Sequence, residues 1–208
     1  MQDILTSLLN QSSTQWIALI TGFTYVILAA YEKPLCWPFG IVSCSVIALD
    51  DFAVFQLYAD GVLQIFYVLF GFMGIYYWIF RNPPGQSLRI TSWQWQKHII
   101  PVIISAVVSI PISMILQRYT NAAYSYLDTL TTILSLWATW LLVRKVLENW
   151  LYWIAIDAVY VVLFWNRGGG LIAVLYAIYL LVAILGFIQW RKRKEGLLAD
   201  SFGTDNRM

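Results

Sequence analysis

Trp150, Trp153, Asp157 and Tyr160 fall at i, i+3, i+7 and i+10, the spacing that gathers side chains on one face of an α-helix. The stretch that holds them, Trp150 to Trp165, is otherwise apolar. A carboxylate there is costly unless solvated or paired, and no Lys or Arg falls inside any apolar stretch of the chain to pair with it. A cationic ligand, stacked on the indoles and set against the carboxylate, is the economical partner. The alternative is a neutral carboxyl hydrogen-bonded to a tyrosine.

A second face has the same character. Gln64, Tyr67, Gly71, Gly74 and Trp78 fall at i, i+3, i+7, i+10 and i+14. The glycines allow a neighbouring helix to approach closely, while Gln64 and Tyr67 offer hydrogen bonds where their neighbours offer none. These two serve equally well as ligand contacts or as packing glue between helices. Neither face offers bond-making chemistry. The single histidine, His98, lies beside Trp93, Trp95 and Lys97, where it reads as an interfacial anchor. Cys36 and Cys44 have no His partner, so no metal site or other cofactor is expected, and with neither a nucleophile-base pair nor a metal cluster an enzyme is not expected.

These faces must be positioned by helices in lipid. Seven apolar segments follow one another: Trp16 to Tyr31, Trp37 to Phe55, Gly61 to Phe80, Ile99 to Leu116, Leu127 to Val143, Trp150 to Trp165 and Leu171 to Trp190. Each approaches the about 20 residues that a helix needs to cross a hydrocarbon core of about 30 Å. The second is short unless it runs on past Asp50 and Asp51, which requires those acids to face protein or water. They and Asp60 are expected at the outer surface. At 60% hydrophobic and 12% charged residues, the chain cannot cover its apolar surface in water. The expected fold is therefore an all-α integral membrane protein with seven transmembrane helices.

Eleven of the thirteen Lys and Arg fall in alternate connections and the tail, leaving Arg118 and Arg167 on the other side. The positive-inside rule then places the N-terminus outside and the C-terminus in the cytoplasm. Arg191 to Lys194 suit anionic membrane lipids, not nucleic acid. The first fifteen residues lack the basic start and apolar core of a cleavable signal peptide. Trp78, Trp165 and Trp190, near segment ends, are expected in interfacial belts. The fourth segment, with Pro101 and Pro111, reads as a lipid-facing connector without a polar stripe.

The chain also repeats itself. Glu32 and Trp37 recur as Glu148 and Trp153 at an offset of 116, and Tyr67, Gly74 and Trp78 recur as Tyr179, Gly186 and Trp190 at an offset of 112. Segments one to three and five to seven would then run in parallel, with the fourth as the linker, a transporter architecture that holds substrate between the repeats. The expected division is an N-terminal extension and first repeat over 1–80, a loop and linker over 81–126, a second repeat over 127–190 and a basic tail over 191–208.

The runs LYADGVLQIFYVLFGFMGIYYW (Leu57 to Trp78) and LDTLTTILSLWATWLLVRKVLENWLYWIAIDAVY (Leu127 to Tyr160), with the closing Gly186 to Trp190, resemble the Pnu vitamin transporters. The resemblance extends from Trp16 to Lys194 and is most specific at LENWLYW. It implies a multi-pass protein of the bacterial inner membrane with a SWEET-like 3+1+3 fold, a homotrimer, and facilitated diffusion drawn forward by a cytoplasmic vitamin kinase. It also implies a binding site at Trp37, Gln64, Tyr67, Asn149, Trp150, Trp153 and Asp157, to which the helical stripe adds Tyr160. Members that carry nicotinamide riboside commonly have asparagine where this chain has Asp157. Thiamine and nicotinamide riboside are both fixed aromatic cations, whereas riboflavin and deoxynucleosides are neutral. A carboxylate accepts only, which suits the amino group of thiamine's pyrimidine, so thiamine is favoured narrowly over nicotinamide riboside. A binding subunit of an ATP-driven importer is the remaining alternative.

Overall fold

The structure, a computed structural model, describes residues 12–55, 58–81, 83, 88–119 and 125–205. The first eleven residues, Leu57 and Arg207 lie outside that set. Each apolar segment forms a helix: α1 (Ser13–Ala30), α2 (Cys36–Asp50), α3 (Tyr58–Ile75), α4 (Gln96–Tyr119), α5 (Ser125–Val143), α6 (Asn149–Asn166) and α7 (Gly170–Asp205). Six are long and apolar enough to cross a bilayer. The exception is α6, whose Asn149, Asp157 and Asn166 dilute its apolar run.

Local chemistry sets the ends. Ser12 and Gln15 close a reciprocal capping box at the start of α1. The second segment does run on past its acids, because α2 continues into a π-helical turn over Asp51–Phe55. Asp50 accepts a hydrogen bond from Thr14 at 2.7 Å. Asp51 is buried, so it departs from the surface position expected for it. α7 continues as helix through the basic cluster Arg191 to Lys194.

Sequential helices pack on one another within α1 to α3 and within α5 to α7, while α1 meets α7 and α3 meets α5. α4 packs on α5. Contrary to expectation, α4 carries a polar stripe: Ser105, Ser109 and Ser113 are buried at four-residue intervals. Their hydroxyls donate to carbonyls of their own helix, Pro101, Ser105 and Ile110, so the stripe is small, satisfied and weakly polar.

The turns after α1 and α5 are copies of one another. Glu32 and Lys145 both take positive φ, 56° and 50°, in the left-handed region. Around Glu32 the amides of Glu32, Lys33, Cys36 and Trp37 bond to Ala29, Leu28, Lys33 and Pro34; around Lys145 the amides of Lys145, Val146, Asn149 and Trp150 bond to Leu142, Leu141, Val146 and Leu147. The backbone correspondence thus runs from Glu32 to Lys145 and from Trp37 to Trp150, an offset of 113. Matching by residue identity alone slips by three positions, onto Glu148 and Trp153, because the structural partner of Glu32 has the opposite charge.

Candidate functional site

A cavity of about 310 Å³ lies among α1, α2, α3, α5, α6 and α7. Its wall includes Trp37, Gln64, Tyr67, Trp150, Trp153, Asp157 and Tyr160, seven of the eight residues singled out from sequence. Asn149 is not in the wall. It is fully buried at the start of α6, and its Nδ2 donates to the Val146 carbonyl at 2.7 Å, so it orders the α5 to α6 turn.

Close helix approach places the indoles. A Cβ on Gly74 would fall within the Trp37 ring, and one on Gly186 would come within 2.8 Å of Trp150. Trp37 meets Trp78 edge-on at 5.3 Å and 87°, and Trp150 meets Trp190 edge-on at 5.6 Å and 87°. Trp78 and Trp190 are 4% and 0% exposed, which corrects their expected place in a membrane belt. Each spends its indole N–H inside the protein, Trp78 on the Val143 carbonyl that ends α5 and Trp190 on the Ala29 carbonyl near the end of α1. Trp165, by contrast, is 66% exposed. A Trp near a helix end fits either setting, and its position in sequence does not separate them.

Asp157 is 4% exposed, and among the described residues no Lys, Arg or His forms an ion pair with it. Above the indoles, Tyr67 Oη and Ser135 Oγ are 2.5 Å apart, and Thr131 Oγ1 lies 3.0 Å from Tyr160 Oη. Tyr160 also packs on Tyr176, with ring centroids 4.7 Å apart. Trp37 and Trp150 line the cavity, and their indole N–H groups are buried without an acceptor among the described residues. One carboxylate, several hydroxyls and a ring of aromatic faces form a wall suited to an aromatic ligand with a positive charge and polar substituents. Among the described residues no group of three His, Cys, Asp or Glu could hold a metal ion.

Thr132, Ser135 and Thr139 of α5 and Tyr176 and Tyr179 of α7 also line the cavity. The first three fall at i, i+3 and i+7, so the helical period that exposed the stripes of α3 and α6 marks a third one here. Tyr179 was already visible as the repeat partner of Tyr67.

The nicotinamide mononucleotide transporter family model matches residues 12–192. The nicotinamide riboside transporter PnuC of Escherichia coli K12 is 25% identical over 199 residues, 84% of this chain and 83% of that one. PnuC of Neisseria mucosa is 25% identical over 191 residues, 85% of this chain and 71% of its own length. A crystal structure of the vitamin B3 transporter PnuC matches with a TM-score of 0.71 at 23% identity, covering 92% of this chain and 86% of that one, a likeness of fold.

Proposed function

Because the chain belongs to the nicotinamide mononucleotide transporter family, and so is a membrane transporter and not an enzyme, we propose that its cavity carries a small cationic vitamin, thiamine ahead of nicotinamide riboside. The observation that carries this reading is Asp157, a buried carboxylate in the cavity wall without a cation from the protein. A permanent aromatic cation supplies the missing charge and stacks on Trp150 and Trp153. The carboxylate also accepts from an amino group, which thiamine's pyrimidine has. Nicotinamide riboside is the second reading, favoured by the names of the relatives from Escherichia coli and Neisseria mucosa.

The wider reading includes parallel three-helix units α1–α3 and α5–α7 joined by α4, the matching turns being its support. It also includes a homotrimer, an outer N-terminus and a cytoplasmic tail. Transport is facilitated diffusion, since neither a nucleotide motif nor facing acids for a proton relay are found in the sequence, and a cytoplasmic kinase would trap the product.

Purified protein in liposomes, with no other component, should let radiolabelled thiamine equilibrate without an imposed gradient. Accumulation above the outside concentration that an ionophore abolishes would overturn passive transport. Binding without any flux would instead favour a subunit energised by a separate ATPase.

A further inference from the structure

Two layers close the cavity toward the end of the bundle where the basic part of α7 emerges. The first is a row of indoles in which Trp37, Trp78, Trp190 and Trp150 follow one another at 5.3, 6.1 and 5.6 Å. The second is an ion pair. Glu32 Oε2 accepts from Lys145 Nζ at 3.0 Å, with side chains 8% and 4% exposed, and the same ammonium lies 4.4 Å from the Trp78 ring centroid. Glu32 and Lys145 hold equivalent positions in the matching turns after α1 and α5, so the bond ties one half of the molecule to the other.

A passage to that end must open between the halves, and this pair and the indoles stand across it. Separating a buried pair is costly because it strands a charge. A second cation reduces that cost here. Arg193 Nε lies 3.1 Å from Glu32 Oε1, near enough to attract but off hydrogen-bond alignment, and its side chain is 58% exposed. Glu32 therefore has a partner to turn to when Lys145 leaves. Burial draws the Lys145 ammonium below the usual lysine value, and Glu32 draws it back up.

We infer that Glu32 and Lys145 are the closing residues of a gate at the basic-tail end, shut while they are paired and opened when Glu32 passes from Lys145 to Arg193. The inference rests on the transporter reading, but a test through Cys44 requires no substrate. Cys44 lines the cavity, and Cys36 is the only other cysteine. In a Cys36→Ser background, a membrane-impermeant maleimide on the basic-tail side of oriented vesicles should label Cys44 slowly. Glu32→Gln and Lys145→Met should each speed labelling by about tenfold or more, while Lys145→Arg, which keeps a pair, should stay within about threefold of the parent.

Equal labelling rates in the parent and both neutral variants would overturn the gate. So would parent labelling from that side as fast as in the unfolded chain, a measurement that does not depend on any variant folding. Loss of thiamine and nicotinamide riboside flux with this labelling pattern intact would count against the transporter reading alone. Intact flux with uniform labelling would count against the gate alone.

Discussion

The wall that α2 gives to the cavity and the wall that α6 gives to it rest on the same backbone and differ in chemistry. In the 113-residue correspondence of the two turns, Trp37 stands opposite Trp150, Gly40 opposite Trp153 and Cys44 opposite Asp157, and all six line the cavity. α3 and α7 continue the pattern at an offset of 112, one residue having been lost between the helices, with Gln64 opposite Tyr176 and Tyr67 opposite Tyr179. At the floor the two sides are the same, an indole seated on a glycine. Above it one side has a large ring and a carboxyl group where the other has a hydrogen atom and a thiol. The shared residues are those on which packing depends, and the unlike ones are those a ligand would read.

The floor should give the largest effects, and alike on both sides. Gly74→Val and Gly186→Val each drive a side chain into an indole, and each should lower stability by about 3 kcal/mol, in the upper range for overpacking, seen as a drop in Tm in detergent. A tolerated substitution on one side only would break the equivalence of the floors. The middle of the cavity should be lopsided. Trp153→Ala should weaken vitamin binding by about 1 to 3 kcal/mol at equal amounts of folded protein, while Trp165→Ala, on the same helix but exposed, should change it by under about 0.5 kcal/mol. Equal losses would mean that the ligand does not lie over α6. The smallest change is expected at Ser135→Ala, which takes from Tyr67 its 2.5 Å partner and should cost about 1 kcal/mol of binding or stability.

What could be read from sequence divides along the same line. Helix number and the stripes of α3 and α6 were legible because hydropathy and a 3.6-residue period are properties of single segments. The stripe of α5 is harder to read, because Thr132, Ser135 and Thr139 are weakly polar and serve in membrane helices as packing residues. Long-range pairing was not legible. Lys145 counts as a surface charge until its turn is seen beside that of Glu32, and Trp78 and Trp190 count as belt residues until α5 and α1 offer them carbonyls. Asn149, which the resemblance alone places in the site, lies outside the cavity wall one residue before Trp150, since adjacent residues of a helix project about 100° apart.

The asymmetry at Cys44 and Asp157 is tested most directly by calorimetric binding of thiamine and of nicotinamide riboside to the unmodified protein and to Asp157→Asn. An ionised Asp157 facing the cavity predicts that the substitution weakens thiamine by about 1 to 3 kcal/mol and spares or strengthens nicotinamide riboside. Tight binding of nicotinamide riboside with no binding of thiamine by the unmodified protein would reverse the choice of substrate. Identical affinities before and after the substitution, for both vitamins, would contradict the central claim that this carboxylate reads the charge of the ligand.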